Sequence, residues 1–359
     1  MSESMLACVR KGPGDLAMER IPKPALEAPT DVILKTRLCT ICGTDLHFEE
    51  LPLPDIAMGH EMVGEIVEMG DAVEGFQTGD RVVMSCMLSC GQCASCQQGD
   101  PSACLHPMGR VKHGLFIHGC QAEYVRVPFA SFSLGKIPET LEDESAILAG
   151  DVFSTAVGVL ERGDLSVGDS VAVFALGTLG LCVVKAARVL GAGLVIGVDP
   201  NPFRRETALK MGANSVLDPQ EGEAAPKIVA MTGGLGVNIA VEAVGKEATL
   251  QEAFKTARIG GAISSLGVYG IATQELSIPL SHASMNPDSL YHRRFVTTLC
   301  PSGRYRMERL MDLMVHADLD FSPLWTHTLD LEDILTGYEM ARDRQGQAIK
   351  IAVIPSGDS

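Results

Sequence analysis

The chain has 359 residues, a formal net charge of −16 and 46% hydrophobic residues, and these values exclude several classes of protein. An acidic surface is unsuited to nucleic acid, which is bound through positive charge, and no apolar stretch reaches the roughly 18 to 20 residues that span a bilayer. No apolar segment of a secretory signal follows the acidic start. We therefore expect a cytoplasmic protein, and at this length two domains.

The first 150 residues have the composition of a mainly β domain. Short apolar runs such as Val32–Leu38, Met62–Val67 and Arg81–Met84 are separated by turns rich in proline and glycine. Turns at intervals of about eight to twelve residues are typical of an all-β region.

Four cysteines lie within fifteen residues of one another in this first region, at Cys90, Cys93, Cys96 and Cys104. Two-residue gaps allow successive thiolates to fold around one ion, and four sulfurs complete a closed tetrahedron. In a protein without an export signal, cysteines are better interpreted as thiols or metal ligands than as disulfides. The spacing predicts a structural zinc site.

A second set of candidate ligands is dispersed along the chain. Cys42, His60 with Glu61, and Asp151 are a thiol, an imidazole and carboxylates that could leave one zinc position open, as in a catalytic site. Each has an ordinary explanation when taken alone. Cys42 could be a buried thiol, His60 a hydrogen-bonded loop histidine, and Asp151 the N-cap of a helix. Spacing alone leaves these alternatives open.

From about Leu148 to Phe295 strands alternate with helices, which indicates a parallel, doubly wound sheet. Strands are predicted at 171–175, 194–198, 214–217, 238–243 and 262–268. The remaining residues return to mixed character, with helices predicted at 304–316 and 331–343 and a strand at 348–354. The chain is therefore predicted to be an α/β protein with a mainly β first domain.

A dinucleotide-binding unit is predicted between residues 171 and 199. An apolar strand ends in the small-residue turn Ala175-Leu176-Gly177-Thr178-Leu179-Gly180, and a helix follows. Small residues let a pyrophosphate approach backbone amides at a helix N-terminus. Asp199 ends the next strand, where an acid accepts hydrogen bonds from the ribose. The usual glycine fingerprint is incomplete, because its first position is Ala175.

These residues together resemble the zinc-dependent medium-chain alcohol dehydrogenases, and the resemblance covers nearly the whole chain. It is carried by the following segments: Cys42-Gly43-Thr44-Asp45-Leu46-His47, Gly59-His60-Glu61, the four-cysteine lobe, 119–124, 175–180 and 236–242. Within the family, the Asp151 segment and the segment from Leu299 to Leu310 look most like the tetrameric secondary alcohol dehydrogenases. The fold implied is a GroES-like catalytic domain, 1–152 and 296–359, with a Rossmann domain, 153–295.

The resemblance implies a role for each matching residue. Cys42, His60 and Asp151 would bind the catalytic zinc, with Glu61 as an alternate or nearby ligand. Asp45 would orient His60. Thr44 would hydrogen-bond the substrate oxygen, and His47 would pass the proton to solvent.

The resemblance also implies two zinc ions per chain, a nicotinamide cofactor and a homodimer or homotetramer. The residues predicted to bind the cofactor are Ala175, Gly177, Thr178, Leu179, Gly180, Asp199, Arg204 and Val268. Two features depart from the best-known secondary-alcohol relatives, which lack the four-cysteine lobe and use NADP. Because Asp199 lies where a carboxylate accepts hydrogen bonds from the ribose hydroxyls, we predict NAD as cofactor. Arg204 and Arg205 could instead favour the 2′-phosphate of NADP.

The predicted reaction is reversible hydride transfer between an alcohol, most simply a secondary one, and its ketone or aldehyde. Apolar residues are predicted to line the substrate pocket and to disfavour a charged or polyhydroxylated substrate: Cys86, Met87, Val111 and Phe153. A polyol, a threonine-type 3-hydroxy amino acid and a formaldehyde adduct remain alternative substrates within the family. A non-catalytic regulator that binds zinc and nucleotide is a further alternative, although a regulator needs no proton relay.

Overall fold

A computed structural model describes residues 4–53, 55–110, 112–269, 275–280, 290, 292–343 and 346–355. The chain divides into two compact units. Unit 1 comprises Met1–Ser154, Cys300–Phe321 and Trp325–Ser359, and unit 2 comprises Thr155–Leu299 and Ser322–Leu324. These boundaries lie a few residues beyond those expected from the sequence, and the short segment Ser322–Leu324 was not expected in unit 2.

The strands run in chain order as follows: β1 Ser4–Gly12, β2 Asp15–Pro22, β3 Val32–Thr40, β4 Ile56–Ala57, β5 Met62–Met69, β6 Arg81–Met84, β7 Tyr124–Val127, β8 Leu134–Lys136, β9 Ser170–Phe174, β10 Leu194–Val198, β11 Ser215–Leu217, β12 Val237–Glu242, β13 Ala257–Ser265, β14 Arg294–Thr297, β15 Trp325–Asp330 and β16 Lys350–Ile354.

The α-helices are α1 Asp45–Phe48, α2 Ala94–Gln97, α3 Ala130–Ser133, α4 Asp143–Gly150, α5 Val152–Arg162, α6 Thr178–Val189, α7 Pro202–Lys210, α8 Ala224–Met231, α9 Glu247–Thr256, α10 Arg304–His316 and α11 Ile334–Arg342. Short 3-10 turns lie at Pro101–Ala103, Pro219–Glu221, Ser322–Leu324 and Leu331–Asp333. Among the described residues, no helix has the length and apolar character that crossing a membrane would require.

Unit 1 is built on two β-sheets. The larger has the strand order β15-β16-β3-β5-β6-β8, with β7 paired to the first half of β3. The smaller has the order β2-β1-β4. The strand β3 is central because its apolar residues Val32, Ile33 and Leu34 are fully buried. Val32 and Leu34 pack into a core with side chains from β5, β6 and β16.

The sheet of unit 2 is entirely parallel, with the order β11-β10-β9-β12-β13-β14. This is the order of a doubly wound dinucleotide-binding fold, in which the strand order reverses beside the first strand. The strands β9, β10 and β12 carry nearly continuous buried apolar runs, as expected where helices cover both faces of a sheet. The predicted fold class is confirmed in both units.

Candidate functional site

The four cysteines of residues 90–104 form one compact cluster, with all four sulfurs within 4.8 Å of one another. Cys93 Sγ lies 3.5 Å from Cys96 Sγ and 3.9 Å from Cys104 Sγ, and the sulfurs of Cys104 and Cys90 are 3.6 Å apart. Four thiolates at about 2.3 Å from a central zinc are about 3.8 Å from one another. The spacing therefore fits one tetrahedrally coordinated zinc ion.

Backbone amides support negative charge on these sulfurs. The N–H of Leu105 donates to Cys93 Sγ at 3.3 Å, and the N–H of Cys93 donates to Cys90 Sγ at 3.4 Å. Amides from Leu105 and Cys96 lower the pKa of the Cys93 thiol to about 6. A thiol that loses its proton near neutral pH is ready to bind a metal.

A second cluster brings together the side chains of Cys42, His60, Glu61 and Asp151, whose ligand atoms all lie within 4.8 Å of one another. The register of the larger sheet explains part of this, because Cys39 near the end of β3 pairs with Met62 at the start of β5. Asp151 follows the last residue of α4. The structure thus assembles the dispersed set that the sequence left open.

His60 is fully buried between two carboxylates. Its Nδ1 lies 2.9 Å from Asp45 Oδ1, and its Nε2 lies 3.3 Å from Asp151 Oδ2. Burial and the charge of Lys112 disfavour protonation of His60, but Asp45, Cys42 and Asp151 outweigh them and raise its pKa. The ring is therefore oriented with Nε2 toward Asp151, another member of the second cluster.

Asp45 is itself fixed by hydrogen bonds. Its Oδ2 accepts the backbone N–H of Cys42 at 2.9 Å and the amide of Gln121 at 3.3 Å. The hydroxyl of Tyr338 donates to Gln121 Oε1 at 2.8 Å. Gln121 and Tyr338 were not identified from the sequence, because neither belongs to a spacing pattern that points to a metal.

Glu61 has one engaged and one free carboxylate oxygen. Its Oε2 accepts hydrogen bonds from Thr40 and from the buried ammonium of Lys350, and Ala352 near Lys350 pairs with Thr40 across the sheet. Within the described residues, Glu61 Oε1 has no hydrogen-bond partner. A buried, unpartnered carboxylate oxygen at this position is consistent with a nearby cation.

Asp151 also faces a lysine that the sequence analysis missed. The Nζ of Lys112 lies 3.8 Å from Asp151 Oδ2. Burial disfavours the charged form of both groups, but their mutual attraction lowers the pKa of Asp151 and raises that of Lys112. Lys112 lies in an irregular segment with no periodicity to mark it.

Thr44 and His47 lie at the short helix α1 beside Cys42. The N–H of Thr44 points to Cys42 Sγ at 3.4 Å, and its carbonyl accepts the N–H of His47 at 3.1 Å. Both side chains are partly exposed. The turn therefore places the predicted hydroxyl and imidazole next to the metal-ligand candidates in the chain.

Three of the residues predicted for the substrate pocket are buried apolar side chains. Cys86 and Met87 pack with Cys300 in a small cluster, and Phe153 packs edge-on against Phe321 with ring centroids 5.1 Å apart. The fourth, Val111, lies outside the described residues. Lys112 is an electrostatic neighbour of Cys86, so a charged group lies close to these apolar side chains, and their role in lining a substrate pocket stays a prediction.

The turn after β9 has the conformation of a nucleotide-binding loop. Ala175 has a φ of +75°, which is the left-handed region that favours glycine. Gly177 is the N-cap of α6, and a methyl group added to it would meet nothing within 4 Å. A methyl group on Gly180 would lie 1.9 Å from the carbonyl oxygen of Ala175. The open space at the helix start and the close packing behind it fit a bound pyrophosphate.

Asp199 at the end of β10 is buried, and both its oxygens accept backbone amides. Oδ2 accepts from Leu176 at 2.7 Å, and Oδ1 accepts from Asn201 at 2.8 Å. The carboxylate thus ties the turn after β9 to the start of α7. Its predicted role toward ribose would be added to this structural one.

The arginines near Asp199 differ in their engagement. Arg205 donates to the carbonyl oxygens of Asp199 and Pro200, both at 2.8 Å, and pairs with Asp218 at 2.9 Å. Within the described residues, Arg204 Nε is buried with no hydrogen-bond partner.

Among the other predicted cofactor residues, Thr178 and Leu179 begin α6, and Val268 is exposed after β13.

The sequence is similar to known proteins along nearly the whole chain. The sequence matches the family profile of the alcohol dehydrogenase GroES-like domain over residues 28–139 and that of the zinc-binding dehydrogenases over residues 178–316. It is 35% identical to an alcohol dehydrogenase of Cupriavidus necator over 99% of this chain and 100% of the relative. It is 30% identical to the NADP-dependent isopropanol dehydrogenase of Clostridium beijerinckii, over 90% of this chain and 93% of that protein.

Solved structures agree in fold over nearly the whole chain. The alcohol dehydrogenase TADH from Thermus sp. ATN1 has a TM-score of 0.87 at 32% identity, covering 98% of this chain and 100% of its own. Sheet order, cysteine cluster and sequence together define a zinc-binding oxidoreductase. The chain belongs to the zinc-dependent medium-chain alcohol dehydrogenases, and it is an enzyme of that class rather than a non-catalytic regulator.

Proposed function

We propose that the chain oxidises small secondary alcohols reversibly with NAD, using a catalytic zinc held by Cys42, His60 and Asp151. The observation that carries the proposal is the convergence of these ligand atoms, within 4.8 Å of one another, around a histidine whose Nδ1 is held by Asp45. A thiolate, an imidazole and a carboxylate leave one tetrahedral position for substrate.

The chemistry divides between the bound groups and the chain. When bound, zinc supplies Lewis-acid polarisation of the substrate oxygen, and NAD supplies the hydride acceptor. Asp45 fixes the His60 ring. The Thr44 hydroxyl hydrogen-bonds the substrate oxygen, and the His47 imidazole passes the proton to solvent, as histidine side chains commonly do in proton transfer.

Asp151 is the proposed third ligand in preference to Glu61. The Oε2 of Glu61 is engaged by Lys350 and Thr40, so one half of that carboxylate is committed elsewhere. Within the described residues its Oε1 has no hydrogen-bond partner, and one oxygen of this carboxylate lies within the same cluster. Glu61 is therefore proposed as an alternate or nearby ligand that would complement Cys42, His60 and Asp151.

A second, structural zinc is proposed for Cys90, Cys93, Cys96 and Cys104. The support is the spacing of the sulfurs, 3.5 to 3.9 Å where two of them are in contact, together with the lowered pKa of Cys93. A site with four protein ligands has no open position and stabilises the fold.

NAD is proposed to bind to unit 2. The support is the position of Asp199 at the end of β10, together with the open helix start at Gly177. A secondary alcohol is favoured by the similarity to isopropanol dehydrogenases, since the match to one of them extends over 93% of that protein's length. The same family resemblance supports a homodimer or homotetramer.

The test combines metal analysis with turnover. Purified protein should contain two zinc ions per chain and form NADH with short secondary alcohols in a panel that also includes primary, aromatic and polyol alcohols. Cys42→Ala or Asp151→Ala should remove one zinc and abolish NADH formation, whereas Cys8→Ala, a buried thiol outside both clusters, should keep both zinc ions. One zinc per chain, or turnover that survives Cys42→Ala, would contradict the proposal.

A further inference from the structure

Two lysines lie beside the second cluster, and their surroundings differ. Lys350 is 1% exposed and forms an ion pair with Glu61. Lys112 is 16% exposed and lies 3.8 Å from Asp151 Oδ2, beyond the range of a hydrogen bond. Within the described residues, the ammonium of Lys112 donates no hydrogen bond, so its three N–H donors are available to another group.

The charges around the cluster show which of the two ammonium groups is balanced. Lys350 is balanced by Glu61. As zinc ligands, Cys42 would supply a thiolate and Asp151 a carboxylate, whose two negative charges would match one divalent ion. Once Asp151 serves as a ligand, the charge of Lys112 has no dedicated partner. Charges in such a buried setting interact strongly because water screens them little.

The surroundings of Lys112 also suit a small organic anion. The buried thiols of Cys86 and Cys300 lie within 4.8 Å of the Asp151 carboxylate. The Cys86 side chain is fully buried and packs with Met87 and Cys300, so it presents an apolar wall beside the ammonium. An anion with a short apolar substituent would find both partners here.

We infer that Lys112 is a specificity-determining residue that selects alcohols bearing a carboxylate next to the carbinol carbon, that is, short 2-hydroxy acids and their 2-oxo acids. The inference rests on the proposed function, since it takes the substrate hydroxyl to lie at Cys42, His60 and Asp151. A carboxylate one bond from the carbinol carbon is then close enough for Lys112, which lies beside Asp151, to bind it. Charge-assisted hydrogen bonds of this kind are stronger than neutral ones.

The decisive measurement is binding of a substrate analogue that cannot react. In 2-hydroxy-2-methylpropanoate the carbinol carbon carries no hydrogen, and 2-hydroxy-2-methylpropanamide is its uncharged counterpart of nearly equal shape. Calorimetric titration of each into the zinc-loaded protein with saturating NAD measures the preference for the carboxylate. We expect a preference of at least tenfold in Kd for the wild-type chain.

Variants assign that preference to Lys112. Lys112→Met should bring the ratio of the two Kd values close to one, and Lys112→Arg should retain part of the preference. The control is Lys210→Met, which removes an equal charge from an exposed lysine of unit 2 and should leave the ratio unchanged. Zinc content is measured for every variant, and a variant that has lost its metal is left out of the comparison. If Lys112→Met loses zinc, Lys112→Gln takes its place.

The outcomes separate this inference from the proposed function. A wild-type chain that binds zinc and oxidises neutral secondary alcohols, but binds the acid and the amide equally, overturns the inference and leaves the proposed function standing. A preference that persists in Lys112→Met with zinc retained also overturns it. Loss of the preference in Lys112→Met alone, with partial rescue by arginine, supports it.

Discussion

His60 and Asp45 form a buried pair in which Nδ1 of the imidazole lies 2.9 Å from Oδ1 of the carboxylate. The carboxylate lies against that nitrogen, and the other ring nitrogen faces Asp151. Asp45 also accepts the backbone N–H of Cys42. One carboxylate thus positions two of the candidate zinc ligands.

Asp45→Asn should therefore weaken zinc binding at the second cluster. The asparagine keeps the shape but loses the charge that orients and polarises His60, and changes of this kind cost about 10- to 100-fold in metal affinity or activity. Competition with a chelator at pH 7 measures the affinity. Asp71→Asn, at an exposed turn, is the matched control, and equal zinc affinity in the two variants would show that Asp45 does not act through His60.

Cys93→Ser should remove the structural zinc and lower the thermal stability. Serine cannot replace a thiolate whose pKa is already lowered to about 6 by neighbouring amides, and a closed thiolate site contributes directly to folding. Metal analysis should fall from two zinc ions to one per chain, with a lower Tm.

The control for this experiment is Cys8→Ala, which removes a buried thiol that belongs to neither cluster. It should lower the Tm slightly through lost packing but keep both zinc ions. Cys93→Ser protein with two zinc ions and an unchanged Tm would rule out a structural metal at residues 90–104.

His113 should make the protein less stable as the pH falls. Its side chain is fully buried with Nε2 3.1 Å from the carbonyl oxygen of Arg126, and burial lowers its pKa from 6.5 to about 4. The unfolded chain therefore binds a proton below pH 6.5 that the folded chain does not. Stability conferred by the neutral ring is complete above pH 6.5 and is lost progressively as the pH falls toward 4.

At about 1.4 kcal/mol for each pH unit, this loss is on the order of 3 kcal/mol. Urea unfolding of His113→Gln and of the wild type between pH 4.5 and 7.5 measures it, and the variant should show the shallower pH dependence. His316→Gln, at an exposed helix end, should follow the wild type. Parallel curves for His113→Gln and wild type would contradict the assignment.

The parallel sheet was predictable because each buried strand is a short apolar run followed by a turn. The predicted 171–175 and 194–198 agree closely with β9 and β10. Two strands were less accessible to this reasoning. The strand β13 begins at Ala257, and the prediction placed its start at 262 because Arg258 and two glycines interrupt the apolar pattern before that point. The strand β14 was missed because its four residues are largely exposed at the sheet edge.

The candidate site was predictable only in part. The four cysteines are close in the chain, so their spacing alone indicated a cluster. Cys42 and Asp151 are far apart in the chain, and only the register of β3 on β5 and the end of α4 bring them together. The resemblance to a family supplied that assignment. Lys112 belongs to no motif, and its position became apparent only from its distance to Asp151.

Replacement by alanine should affect two glycines of the turn after β9 differently: at Gly177 it should weaken cofactor binding, and at Gly180 it should lower stability. Gly177→Ala meets nothing within 4 Å and has a negative φ, so stability should fall only by the cost of a poorer N-cap, about 1 kcal/mol or less. The methyl group would nevertheless lie in the space proposed for the pyrophosphate. NAD affinity, measured by fluorescence titration with NADH, should fall at least tenfold.

Gly180→Ala is the matched comparison. Its methyl group would lie 1.9 Å from a backbone carbonyl oxygen, which must move, so unfolding should become easier by more than about 2 kcal/mol. Urea unfolding measures this effect. If Gly177→Ala bound NADH as tightly as wild type, the cofactor would not approach the helix start at that residue.

Cofactor choice should favour NAD by at least tenfold in kcat/KM, which corresponds to about 1.4 kcal/mol. A 2′-phosphate would bring about two negative charges toward the Asp199 carboxylate. Arg205 is already engaged by Asp218 and by two carbonyl oxygens, which leaves Arg204 as the arginine able to meet a phosphate. Steady-state kinetics with both cofactors and one alcohol measure the preference.

Asp199→Gly should relax or reverse the preference, and adding Arg204→Gln should remove the gain with NADP. The glycine variant also loses the acceptor for the amides of Leu176 and Asn201, so its Tm should fall, and kinetics are compared below that temperature. Asp199→Asn, which keeps one acceptor oxygen without the charge, separates the two effects: it should relax the preference with a smaller loss of stability. Equal or better efficiency with NADP in the unmutated chain would show that Asp199 serves only to anchor the turn, and that the NADP-dependent relatives are the better guide to this pocket.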